Sequence, residues 1–296
     1  MVGPPPDGSQ QAGWPWPPPD LPPAEPGSVP LPGQMVAASP VLGEGRKRSG
    51  NPITSWLDSG PATVEPPRTH RWGLGAYLIV ELIFLLASVA VGVLVVGDGP
   101  PRAWTLAVAL AVPTLIAAGT AILITRLRGH GPRADLRLHW SWRDVRLGLA
   151  FGLGGLFVTL PASMLYLSIV GPDATSAVGE VFGDVRASLP LALVIFVCVV
   201  FIAPLCEEIV YRGLLWGAVE RLRAGRWVAL VVTTLLFALA HFEFTRTPLL
   251  LVVAIPIALA RLYTGGLVAS IVAHQVNNLL PGIALTLGLV GVIPMT

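Results

Sequence analysis

Long apolar stretches decide what this chain can fold into. They run over about 74–96, 103–124, 147–170, 189–219, 227–242, 249–263 and 267–293. A backbone in hydrocarbon must satisfy its N–H and C=O groups internally, which a lone strand cannot do, so each stretch is predicted to be a helix. Most approach the roughly 20 residues that cross a bilayer. The fifth and sixth are short, which is tolerated where protein rather than lipid surrounds them. Pro113 is expected to kink the second. Composition agrees: 12% of residues are charged, about half the share of soluble domains. The expected fold is therefore all-α, a polytopic transmembrane helix bundle of about seven to eight spans. The eighth would be a short or re-entrant segment. No internal repeat of the transporter kind is evident.

Residues 1–70 read differently. They hold 17 of the 29 prolines and no apolar run long enough to pack. This is expected to be a disordered, partly polyproline II arm, not a signal peptide, ahead of a transmembrane helical domain over 71–296. Within the arm, Trp14-Pro15-Trp16-Pro17 is a candidate recognition patch, although a plain linker is the commoner use of such sequence.

Basic residues set the expected orientation. Five (Arg46, Lys47, Arg48, Arg68, Arg71) precede the first span, and six (Arg126, Arg128, Arg133, Arg137, Arg143, Arg146) fill the second loop. Arg102 alone lies in the first loop, Arg186 alone in the third, and Arg246 and Arg261 are assigned to the last two. The alternation predicts a cytoplasmic N-terminus. Lys47 is the sole lysine, and the Arg, Ala, Gly, Pro and Val usage suggests a GC-rich bacterial genome, hence a bacterial inner membrane. A net charge of +2 without a clustered cationic face argues against nucleic acid as a partner. Cys198 and Cys206 would lie about 12 Å apart on one helix, too far for a disulfide.

Ionisable groups at membrane depth are costly and default to functional candidates. Of five histidines only His241 and His274 lie inside apolar stretches, and the acids there are Glu81, Glu207 and Glu208, with Glu243 near a segment end. Glu208 and Arg212 are spaced i, i+4 and can pair on one face. Glu207, about 100° around the helix, can point elsewhere. His274 and Asn278 are again i, i+4. Three helices thus offer carboxylates, an imidazole, and an imidazole with an amide to one interior. Such groups also serve as interhelical glue, but matched spacings on three helices favour a site. A carboxylate and an imidazole can hold a water and take its proton, while the other imidazole and the amide donate to an oxyanion. The same groups could instead bind a divalent metal such as zinc. Either route is hydrolysis, most simply of a peptide bond.

These residues resemble three motifs of the CPBP family, the CAAX proteases and bacteriocin-processing enzymes also called the Abi family. Glu207, Glu208 and Arg212 match Glu-Glu-x-x-x-Arg; Phe237 and His241 match Phe-x-x-x-His; His274 and Asn278 match the third. The resemblance covers about 145–293. It implies an all-helical intramembrane endopeptidase acting on a membrane protein or peptide. Glu207 would be general base, His241 would hold the same water, His274 and Asn278 would form the oxyanion site, and Glu208 and Arg212 would brace it. The family is described both as glutamate-dependent and as metallopeptidase, and the sequence leaves that open. A non-catalytic immunity or scaffold protein is the alternative the family allows. Glu81 stands outside the pattern, with Arg212, Arg261 or a lipid headgroup as its candidate partners. Glu243 is assigned no catalytic role.

Overall fold

The structure, a computed structural model, describes Gly3 and residues 70–96, 102–171 and 177–294. The arm expected over 1–70 lies outside the described residues apart from Gly3 and His70. The fold is all-α, and no strand occurs among the described residues. Among the described residues six helical runs are long and apolar enough to cross a membrane: Leu74–Val96, Ala103–Arg128, Trp142–Val170, Leu189–Arg221, Thr247–Thr264 and Leu267–Leu289. A seventh apolar helix, Arg226–Leu239, is shorter. Each apolar stretch of the sequence is therefore a helix, and the fifth falls short of a full span.

In chain order the helices are α1 (Leu74–Val91, prolonged by a π-helical turn, Gly92–Val96), α2 (Ala103–Arg128), α3 (Pro132–Asp135), α4 (Trp142–Val170) and α5 (Ala177–Phe182). The fourth span has five parts: α6 (Leu189–Val197), a π-helical segment Cys198–Ile202, α7 (Ala203–Glu208), a second π-helical segment Ile209–Leu215, and α8 (Trp216–Arg221). Then follow α9 (Arg226–Leu239), α10 (Thr247–Thr264) and α11 (Leu267–Leu289). Pro113 sits inside the continuous α2. Arg261, assigned above to a loop, is instead in the last turn of α10 and 1% exposed.

Local sequence explains the ends that matter. Ser141 caps α4 by accepting the Asp144 amide at 3.4 Å, which uses one of the orphan donors of the first turn. Gly265 ends α10 with a left-handed φ of 70°, a conformation glycine adopts without steric penalty. The α10–α11 hairpin turns there.

The fourth span lies at the centre. It packs on α2 and, through its second π-helical segment, on α1; on its other side it meets α11, which lies against α4 and α10. The main buried cluster gathers here, around Cys206, Ile209, Leu214, Leu215 and Trp216 with Phe237, Ala258 and Leu267. Just before α1, Trp72 is buried; its Nε1 donates to Asp135 Oδ2 at 3.2 Å, and its carbonyl accepts from Arg221 Nη1 at 2.5 Å. His70 stacks on the Trp72 ring at 3.7 Å. The start of α1 is thereby fastened to both α3 and α8.

The α4–α11 contact depends on the absence of side chains. A Cβ on Gly148 would lie 2.6 Å from the Ala269 carbonyl oxygen, and one on Gly152 would lie 2.7 Å from Val276 Cβ. Without a hydrophobic force between helices in lipid, close approach and dispersion hold such pairs. Gly148→Val is expected to separate them at a cost of about 1–3 kcal/mol, read as a lowered midpoint in thermal unfolding of the purified protein in detergent. An unchanged midpoint would contradict this packing.

Candidate active site

The site is built around a carboxylate with no exposure to solvent. Glu208, the last residue of α7, and Arg212, one turn on, are both 0% exposed. Arg212 Nη1 donates to Glu208 Oε1 at 2.9 Å. His274 of α11 brings its Nδ1 to the same oxygen at 3.0 Å. Because Glu208 Oε1 can only accept as a carboxylate, that proton sits on Nδ1. The other face of the ring points at the second acid: His274 Nε2 is 3.6 Å from Glu207 Oε2. This is too long for a direct hydrogen bond, so both atoms are free to turn to a third group. The Glu207 side chain is 26% exposed. The expected division therefore appears, one acid pinned by arginine and the other pointing elsewhere.

Phe237 of α9 joins the parts. Its ring lies 4.8 Å from His241, 5.5 Å from His274 and 5.4 Å from Tyr211, each edge-on. The Arg212 guanidinium stands over its face at 4.5 Å, a cation–π contact. His241 Nδ1 is 2.8 Å from the Phe237 carbonyl. A carbonyl only accepts, so Nδ1 carries the proton and Nε2 keeps its lone pair. That tautomer suits a group that accepts from water.

Asn278 is turned differently from the others. Its Nδ2 donates to the Val199 carbonyl at 3.1 Å, in the first π-helical segment. The neighbouring Asn277 is also buried, and it donates to the Ala273 carbonyl at 3.2 Å while its Oδ1 accepts from Thr159 at 3.5 Å. Glu207, Glu208, Arg212, Phe237, His241 and His274 are thus brought together by direct contacts or through Phe237, and Asn278 faces the helix that carries the acids.

Sequence reading missed the residues that hold the acidic helix in place. Arg261 Nε donates to the Arg212 carbonyl at 3.0 Å, and its guanidinium also bonds the Gly265 carbonyl. The same guanidinium sits 5.4 Å from the Trp216 ring. An arginine within an apolar stretch was the available signal, and its place near the stretch's end hid it among the loop residues. Glu81 pairs with neither arginine; it faces the hydroxyls of Tyr77 and Tyr211. Among the described residues no three His, Cys, Asp or Glu side chains converge as a metal site requires. The donors present do not fit a closed zinc set.

The sequence profile of the type II CAAX prenyl endopeptidase Rce1-like family matches residues 189–280, the stretch that holds Glu207, Glu208, Arg212, Phe237, His241, His274 and Asn278. A curated relative, the membrane-embedded CAAX protease MroQ of Staphylococcus aureus (strain USA300), is 26% identical over 170 residues, covering 55% of this chain and 68% of that protein. Over this stretch the chain is similar to CAAX proteases. The matched family is described as an endopeptidase and the matched relative as a membrane-embedded protease. No solved structure matches the chain.

The Glu208–Arg212 pair makes a testable contribution to stability. Arg212→Met leaves a buried carboxylate without its cation and is expected to cost about 3–5 kcal/mol. Adding Glu208→Leu to Arg212→Met is expected to recover most of that loss, because a buried pair can be replaced by apolar groups. Thermal unfolding of the two variants in detergent checks both, and equal midpoints for the single and double variants would refute the coupling.

Proposed function

We propose that this protein hydrolyses a peptide bond in a membrane-associated protein or peptide, using a water activated by Glu207 and held by His241. The observation that carries the reading is the inequality of two adjacent acids. Glu208 is enclosed and engaged by Arg212 and His274, whereas Glu207 is partly exposed and bonded to no arginine. A general base must be a carboxylate whose lone pairs are not already taken.

The steps follow from the groups present. Glu207 takes a proton from the water as its oxygen attacks the carbonyl carbon of the substrate. His241 accepts the second water proton in a hydrogen bond at Nε2, the nitrogen left free by the Phe237 carbonyl. The oxyanion receives hydrogen bonds from the site's donors. Asn278 has one N–H of its amide left after bonding Val199. His274 can serve only when it carries a proton on Nε2 as well as on Nδ1. Glu207 then returns its proton to the leaving nitrogen, and the C–N bond breaks. Glu208 and Arg212 do not touch the reacting atoms; they hold His274 in register.

Glu207→Gln keeps the shape and removes the base. It is expected to slow cleavage by about 10²–10⁴-fold, and His241→Ala is expected to be impaired as well. The measurement is a comparative membrane proteome of cells carrying wild type or Glu207→Gln at matched expression. Accumulation of an uncut precursor in the variant supports proteolysis and names the substrate. An unchanged proteome, with Glu207→Gln still complementing a deletion phenotype, overturns it in favour of a binding role.

A further inference from the structure

The start of α4 carries charge that the candidate site does not use. Arg143 and Arg146, in its first and second turns, are exposed. Between residues 136 and 170 the one acid is Asp144. It is buried and turned inward: a Cβ on Gly266 would lie 2.8 Å from its Oδ2, and it interacts with Arg143, His139 and Arg261. Among the described residues Arg146 has no acidic partner. Beside the two arginines stand Trp140 and Trp142, 67% and 69% exposed, edge to face with ring centroids 5.4 Å apart.

Helical rotation puts one arginine on the lipid-facing side. At about 100° per residue, Trp142, Arg146, Leu153, Phe157 and Met164 fall in a stripe about 60° wide. All five are exposed, Phe157 and Met164 at 83% and 73%. Gly148, Gly152 and Gly155 project the opposite way, where they meet Ala269, Val276 and Pro256 of the neighbouring helices. The stripe is therefore the side that α4 turns to the bilayer. Tryptophan rings settle at the level of the headgroups. Arg146 starts one turn, about 6 Å, further in than Trp142, and a long basic side chain at that place snorkels back toward the phosphates.

We propose that Arg143, Arg146 and Trp142 form a binding site for one anionic phospholipid, with its phosphate at the two guanidinium groups and its acyl chains along Leu153 and Phe157. The face asks for a phosphate and a long apolar chain in one molecule, which a phospholipid supplies. Guanidinium groups take phosphate in bidentate bonds. Two exposed arginines with the local acid buried favour a headgroup of net negative charge over a zwitterionic one. The site lies outside the stretch that holds the acids and histidines, so it stands whether or not the hydrolytic reading does.

The test uses the full-length protein in detergent, titrated with dioleoyl phosphatidylglycerol, dioleoyl phosphatidylcholine or glycerol 3-phosphate, with adducts counted by native mass spectrometry. Phosphatidylglycerol is expected to bind at least about fivefold more tightly than phosphatidylcholine, and Arg143→Gln and Arg146→Gln are each expected to weaken it by about fivefold. Arg133→Gln, which removes an equally exposed charge from α3, is expected to leave it unchanged. As a second readout, phosphatidylglycerol is expected to raise the thermal midpoint of the wild type more than that of the doubly substituted protein, because a ligand stabilises only the state that binds it. Equal affinities for the two lipids would overturn the proposal, as would an equal loss in Arg133→Gln. Glycerol 3-phosphate binding as tightly as phosphatidylglycerol would show an anion site without a lipid. A dimer lost in Arg146→Gln would show that a second copy covers this face instead.

Discussion

The architecture of the site depends on one oxygen, Glu208 Oε1, which takes both the Arg212 guanidinium and the His274 Nδ1 proton in a place without solvent. Burying a carboxylate and a guanidinium together is at best neutral for stability. What the pair contributes is direction. Arg212 occupies one side of the oxygen, which leaves His274 one way to meet it, and the opposite nitrogen of a rigid ring is then aimed at Glu207. The Arg212 guanidinium covers the face of Phe237, whose edge contacts both imidazoles. Removing the charge at position 208 would therefore loosen residues on α9 and α11 as well as on its own helix.

The fourth span can hold that oxygen in place because its backbone is irregular where the acids need support. A π-helical segment lies on each side of α7. Such segments widen the helix and disturb the i→i−4 ladder, so carbonyls become available to outside donors. In both segments a side chain from another helix takes one: Asn278 bonds Val199 O, and Arg261 bonds Arg212 O. The acidic turn is thus pinned from α11 at one end and from α10 at the other. Asn278 accordingly does double duty if its second N–H serves the oxyanion, since the bond to Val199 is what orients it.

Much of this was legible in the sequence. Apolar length alone predicted the helices, because hydrocarbon permits so few backbone solutions. The i, i+4 spacing of Glu208 and Arg212 predicted their pairing, and the rotation between adjacent residues predicted that Glu207 would diverge. The rest was hidden for identifiable reasons. The π-helical segments depend on tertiary donors and leave no periodic trace over five or seven residues. Arg261 lies near the end of an apolar stretch, where an arginine normally reaches water; here it is enclosed by Trp216 and the backbone of the fourth span. Glu81 could have been expected to seek a cation, but it faces two tyrosine hydroxyls instead.

The proposed hydrolysis inside a membrane needs one acid dry and the next one wet. Low dielectric around Glu208 strengthens its bonds to Arg212 and His274 and fixes the geometry. Water must nevertheless reach Glu207, one residue away. The helix resolves this conflict through rotation: successive side chains point about 100° apart, so Glu208 is enclosed with Arg212 and His274 while Glu207 keeps part of its side chain exposed. His241 lies at the point where α9 ends early. A longer α9 would continue the helix past His241 and close that side with lipid-facing backbone. The shortness of this helix, which on sequence alone looked like a poor membrane span, is what places the half-buried imidazole of His241 just past its end rather than inside it.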